Sequence, residues 1–329
     1  MNPTVTLHTT NLTERIETEI AKLDFSHNPP QLYEPISYIL SLGGKRIRPV
    51  LLLLACDMFG KSIEDAIPQA LAIEIFHNFT LVHDDIMDQA PKRRNQLTVH
   101  TKWNENTGIL SGDVMLVCAY QQLCKSEDKY LAQLLELFNK TAIEVCEGQQ
   151  FDMNYETETN VSISEYLRMI ELKTAVLLGC SLQTGSIIAG GSSEDQHNIY
   201  EFGRNIGIAF QLQDDLLDVF GDPNKFGKQI GGDIISNKKT YLCLKASEIG
   251  TTEQKTQLNK LFGSIKTDNS EKIDIVTRIY NDLSIQHQTE TEMASYYNSA
   301  ISFLEKINVP EDRKLPLRNF ANRLMIRDS

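Results

Sequence analysis

A chain of 329 residues, 41% of them hydrophobic, has apolar side chains enough for one large core or two ordinary ones, and its 23% charged content is that of a soluble globular protein. A formal net charge of −12 with no basic block excludes general nucleic-acid binding, although the few cations can still gather around an anionic small molecule. The densest apolar run, Val50–Cys56, is far short of the roughly 18–20 residues of a membrane span, and six scattered cysteines without a C-x-x-C pair point to reduced thiols in the cytoplasm.

The first residues, MNPTVTLHTTNLTERIE, lack a basic stretch followed by an apolar one, so no secretory signal is expected. In Gly43–Pro49, GGKRIRP, the glycines end one helix and Pro49 sits near the start of the next, which holds Lys45, Arg46 and Arg48 on a short connection. Arginine offers phosphate a planar fork and lysine a point charge. A basic turn that merely caps a helix reads the same stretch equally well. Ile63–Met87 follows, with Ile67, Leu71, Ile75, Phe79, Val82 and Ile86 spaced by three and four, a helical period.

This helix ends in DDIMD. Asp84 and Asp88 share a face at i,i+4, and Asp85 lies between them. Like charges at this spacing cost a helix a few tenths of a kcal/mol per pair, and the helix C-terminus disfavours anions further. Mg²⁺ would compensate, since it takes one or two carboxylates and completes its shell with water and substrate phosphate. Taken alone, the cluster reads better as a solvated helix end neutralised by Lys92, Arg93 and Arg94. It does not match an EF-hand loop.

Helical periods continue over Ile109–Leu123, Tyr130–Val145, Tyr166–Ile188, His197–Phe220, Lys238–Ile249, Glu271–Ile285, Glu290–Ile307 and Leu315–Ile326. Strand alternation is missing, and no linker divides the chain, so one all-α domain spanning residues 1–329 is expected. The expected loops are Gln89–Thr107, Met153–Val161, Gly190–Glu194, Gly221–Asn237 and Gly263–Asn269. Two of these are long, and each directly follows an aspartate cluster. The second cluster, Asp214, Asp215 and Asp218 in FQLQDDLLD, repeats D-D-x-x-D on a more hydrophobic helix, where isolated carboxylates would be costly or protonate. Facing clusters could clamp one polyanion through bridging Mg²⁺. Lys173 and Thr174 sit at a helix junction, a weak signal alone, and Lys228 and Lys238 lie in the glycine-rich stretch after the second cluster.

GGKRIRP, DDIMD with its paired arginines, KT, FQLQDDLLD and GK…GGD…K run in a fixed order from about Gly43 to Thr240. In that order they resemble the trans-isoprenyl diphosphate synthases, the polyprenyl synthetase family. The resemblance implies a helical bundle of the isoprenoid synthase type with a deep central cavity, a homodimer, and head-to-tail (1'-4) condensation of isopentenyl diphosphate with an allylic diphosphate. It implies Mg²⁺, three per active site with Mn²⁺ as a substitute, on Asp84, Asp85, Asp88 and Asp214, with Asp215 and Asp218 supporting. By the same resemblance, Arg93, Lys173, Lys228 and Lys238 hold the allylic diphosphate. Lys45, Arg48, His77 and Arg94 hold isopentenyl diphosphate, and Thr174 and Gln211 stabilise charge near the reacting carbons. His77, seven residues before Asp84, is on roughly the same helix face. The chain departs from the family's pattern at Asn95, where a glycine is usual after the arginines; Asn tolerates left-handed backbone, so the turn can survive.

A growing isoprenoid needs an apolar tunnel, which bulky side chains below the first cluster would close. Phe79 is five residues before Asp84 and Phe76 eight, while Thr80, four before, is small. The resemblance then implies a short-chain all-trans product: geranylgeranyl diphosphate (C20), with farnesyl diphosphate (C15) next. A terpene cyclase would use the same metal chemistry without a second diphosphate site, and a non-catalytic subunit would be expected to have lost part of a cluster.

Overall fold

The computed structural model describes residues 3–158, 160–221, 230–263 and 268–325. In chain order these form α1 (Pro3–Ala21), α2 (Pro30–Ser41), α3 (Ile47–Met58), a 3-10 turn (Ile63–Ala66) and α4 (Ile67–Met87). A small hairpin, β1 (Lys92–Arg93) and β2 (Gln96–Leu97), precedes α5 (Val99–Lys102), α6 (Glu105–Leu123), α7 (Asp128–Thr157) and α8 (Ile163–Ile170). A π-helical segment (Glu171–Ala175) leads into α9 (Val176–Ile188) and α10 (Ser193–Phe220). The chain continues through α11 (Gly232–Ile235), α12 (Tyr241–Ile249), α13 (Thr252–Phe262), α14 (Asn269–Asp282), α15 (Ile285–Lys306) and α16 (Glu311–Met325). The fold class is all-α, as expected, and among the described residues no helix is long and apolar enough to cross a membrane.

Several boundaries differ from expectation, each for a local reason. Asn104 caps α6 by accepting from the Thr107 amide at 2.9 Å, so the helix begins before its first apolar residue. Met153–Val161, expected as a loop, is helical to Thr157, with Tyr155 buried on that extension. A capping box between Ser162 and Glu165 then starts α8. Gln89–Thr107 is not wholly loop either, since it contains the hairpin and α5. Helix α13 is polar apart from Leu258, Leu261 and Phe262, the first two buried, too few for a visible apolar period; its capping box, Thr251 with Gln254, was the available signal.

The chain packs as two compact units. The first comprises Met1–Lys140, Cys180–Tyr200 and Ile307–Leu317; the second comprises Thr141–Gly179, Glu201–Lys306 and Arg318–Ser329. In the first, α3 is apolar all round and fully enclosed from Val50 to Cys56, the mark of a central helix. Gly185 lets α9 approach it, since a Cβ there would lie 2.2 Å from the Leu52 carbonyl oxygen. In the second, one apolar cluster centres on Tyr280 with Leu242, Val276 and Ile285, and another on Tyr166, Met169, Ile208 and Leu212. The second cluster underlies the inner face of α10.

Candidate active site

In the first unit, Asp88 ends α4, its amide donating to the Asp84 carbonyl at 2.9 Å, and Gln89 turns the chain with a φ of 50°. The hairpin pairs Lys92 with Leu97 and Arg93 with Gln96. Its two turn residues, Arg94 and Asn95, have φ of 51° and 63°, the pattern of a type I′ turn. Asn95 therefore supplies the left-handed backbone that glycine would. The hairpin returns Arg93 to α4, where its Nε donates to both oxygens of Asp85 at 3.0 and 2.9 Å and a terminal nitrogen lies 2.8 Å from the same carboxylate. Asp85 is only 2% exposed. Burial pushes its carboxyl up and the Arg93 guanidinium opposes. Asp84 is partly exposed, 3.6 Å from Arg93, and Asp88 is exposed.

The GGKRIRP turn splits its cations. Arg46, which shares the turn with Lys45 and Arg48, turns inward: its side chain is fully enclosed, bonded to Glu74 at 2.5 Å, to Glu17 at 2.7 Å and to the Leu40 carbonyl at 2.7 Å. It is structural. Lys45 is exposed. A terminal nitrogen of Arg48 donates to His77 Nε2 at 3.1 Å, which assigns the imidazole proton to Nδ1. Burial pushes Arg48 down to about 10, against the pull of Glu74. Its Nε is buried with no protein partner. Arg94 donates to the Gly43 carbonyl, and Gly44 makes room for it, since a Cβ there would be 2.8 Å from its guanidinium. His77 is held well below the ordinary histidine range by burial and then by Arg48, Arg94, Arg93 and Arg46. The imidazole is neutral in a strongly positive field, with an orphaned guanidinium donor beside it. Such a field suits an anion.

In the second unit the pattern recurs. Asp214 and Asp218 are partly exposed on α10, while Asp215 is 4% exposed. Asp215 accepts from the Tyr166 hydroxyl, from Gln211 Nε2 at 3.4 Å and from the Tyr241 amide at 3.4 Å. Burial, and then Asp233, raise it to about 8 against these bonds. Asp218 pins the returning chain, accepting the Asp233 amide at 3.0 Å on its side chain and the Gly231 amide at 2.6 Å on its carbonyl. The Lys238 amide in turn donates to the Asp233 carbonyl at 2.9 Å. Lys272, 3% exposed, holds this stretch from α14 through the Ile234 carbonyl and Asn237 Oδ1, both at 2.5 Å. Lys228 lies outside the described residues.

Lys173 and Thr174 occupy the π-helical segment, a wide turn of the kind that recurs at functional sites. Gly148 and Gly207 flank it: a methyl at either would come within 2.3 Å of the Lys173 amide nitrogen or 2.6 Å of Ala175 Cα. Lys173 is bonded to Asp152 at 2.6 Å, and Thr174 Oγ1 lies 3.5 Å from Gln211. Asp152, Tyr166 and Lys272 were not anticipated. Asp152 lies 21 residues before Lys173 and Tyr166 49 before Asp215, so neither left a local signal.

In both clusters, then, the middle aspartate is enclosed and committed to protein donors, while the first and third reach the surface. These are hard oxygen donors, and among the described residues no three acidic, histidine or cysteine side chains converge as a closed metal cage. That donor set fits Mg²⁺ or Mn²⁺ completed by phosphate oxygens and water. Of the residues expected to limit product length, Phe79 and Phe76 stack in one ring column with centroids 5.6 Å apart, whereas Thr80 bonds the His77 carbonyl at 2.8 Å.

The sequence profile of the polyprenyl synthetase family matches residues 29–282. A geranylgeranyl diphosphate synthase of Methanosarcina mazei is 39% identical over 73% of this chain and 75% of its own length. One from Sulfolobus acidocaldarius is 35% identical over 89% and 90%. A crystal structure of a geranylgeranyl pyrophosphate synthase superposes with a TM-score of 0.91, at 44% identity and full coverage of both chains.

Proposed function

We propose the following reaction for this chain, which belongs to the polyprenyl synthetase family: it condenses isopentenyl diphosphate head-to-tail with allylic diphosphates to make a short all-trans prenyl diphosphate. The preferred product is geranylgeranyl diphosphate, with farnesyl diphosphate next. What supports the reading most is the arginine field around His77 in the same unit as Asp84 and Asp88. A one-substrate cyclase has no use for a second diphosphate holder.

Arg93, Lys173, Lys238 and Lys228 bind the allylic diphosphate. Lys45, Arg48, Arg94 and His77, through its Nδ1 proton, bind isopentenyl diphosphate. Asp84, Asp88 and Asp214 carry Mg²⁺, three ions per site, which supplies Lewis-acid stabilisation of the departing diphosphate. Asp85, Asp215 and Asp218 keep these ligands and the cations in place. At an effective dielectric of about 20, a unit-charge pair 4 Å apart interacts by roughly 4 kcal/mol. Several fixed cations therefore lower the cost of breaking the allylic C–O bond substantially, because they are placed before charge develops. The alkene of isopentenyl diphosphate attacks the resulting allyl cation, a new C–C bond forms, and the released diphosphate takes the proton. Thr174 and Gln211 present oxygen dipoles to the cation.

The reading treats the 329 residues as one catalytic domain. It adds a homodimer, for which Leu110 (57% exposed) and Val117 (58% exposed) on α6, with the half-buried Val114 between them, are the contact. All six thiols are unbridged, in keeping with the reducing cytoplasm where the reading places the protein. Incubation with isopentenyl diphosphate, Mg²⁺ and C5, C10 or C15 primers, followed by chromatography, tests the reaction. A C20 product that disappears with chelator is expected; no condensation with any primer would reject it.

A further inference from the structure

The ring column on α4 has a neighbour that no part of the reaction scheme uses. His83 stacks edge-to-face on Phe79, centroids 4.8 Å apart at 66°. Phe79 meets Phe76, and Phe76 meets Phe138 at 5.1 Å. On the far side of His83, Nε2 lies 3.2 Å from the Ile109 carbonyl on α6 and donates to it. One turn along α6, Gly112 is buried against the same imidazole. A Cβ at Gly112 would sit 2.3 Å from His83 Nε2 and 2.6 Å from its Cδ2, distances that no side chain tolerates.

We infer that Gly112 is a specificity-determining residue: the notch it leaves in α6 seats His83, and His83 fixes the orientation in which Phe79 stops chain growth. This rests on the synthase reading and on Phe79 as the barrier. The logic is steric. With a methyl at position 112 the imidazole cannot keep both its bond to Ile109 and its contact with Phe79. Phe79 is 9% exposed and held on its other side by Phe76, so the ring contact with His83 decides which way it points. A purely structural glycine, present only to let α4 and α6 approach, would affect melting temperature and leave product length alone. Gly108, one turn earlier, is such a spacer: it makes room for Ile86, outside the ring column.

The experiment gives the full-length enzyme isopentenyl diphosphate, a C15 primer and Mg²⁺, and reads the product ladder by chromatography. Gly112→Ala should raise the ratio of products longer than the wild-type one by roughly tenfold, the discrimination that about one methylene of pocket space commands. His83→Ala should shift the ladder in the same direction, because it removes the same support. In the double variant Gly112→Ala should add nothing to His83→Ala, since its effect passes through the imidazole. A Gly112→Ala ladder identical to wild type overturns the inference, as does an additive double variant. If Gly112→Ala does not fold, an unchanged ladder from His83→Ala overturns it alone. Failure of the wild-type enzyme to condense any primer is a different result, visible before any variant is made, and it rejects the synthase reading itself.

Discussion

Arg46 and Arg48 stand two positions apart in one basic turn and have opposite duties. Arg46 neutralises Glu74 inside the first unit; Arg48 faces His77 with an unpartnered Nε. Removing one partner of a buried ion pair leaves an uncompensated charge, which costs about 3 kcal/mol or more. Arg46→Met should therefore lower stability by about 3 kcal/mol in urea unfolding while the protein that remains folded keeps its KM values. Arg48→Met should do the reverse, raising KM for isopentenyl diphosphate about tenfold, roughly the loss of one charge-assisted hydrogen bond, with little change in stability. Equal stability losses in the two variants would contradict this division. At the same scale, the aspartates were legible because three and four are neighbour spacings on a helix. Arg93, eight residues after Asp85, was legible beside them; contacts made across longer separations were not. Glu74 is 28 residues from Arg46 and Tyr166 is 49 from Asp215, and no local pattern announces contacts made only by the folded chain.

The hairpin shows how an element converts a permissive residue into a placed cation. Its turn needs two successive left-handed residues, and Arg94 and Asn95 provide them. Asn95→Gly should leave both KM values near wild type. Asn95→Val puts a β-branched residue where left-handed backbone costs roughly 1–2 kcal/mol, so the hairpin should loosen and both substrates should bind more weakly. A variant with unchanged KM for both substrates would show that the turn does not position Arg93 and Arg94. Elsewhere the long apolar helices were readable from period alone. The C-terminal part of α7 and all of α13 were not, because neither carries a full apolar stripe; α13 starts instead from its capping box. The π-helical segment at Lys173 was legible only as a junction; its width follows from two distant glycines that permit it.

For the whole molecule, the apolar stripe on α6 carries the prediction of assembly. Exposed patches of this kind mark partner surfaces, and Leu110→Glu with Val117→Glu should convert a dimer to a monomer in sedimentation velocity. Wild-type protein that already sediments as a monomer at micromolar concentration would remove the homodimer from the proposal. The partition of the chain carries a consequence of its own. Its path passes from one unit to the other at 140/141, 179/180, 200/201, 306/307 and 317/318. Neither half is thus a continuous stretch of gene. No single cut yields the whole of either unit alone, because the stretches that complete each lie between stretches of the other.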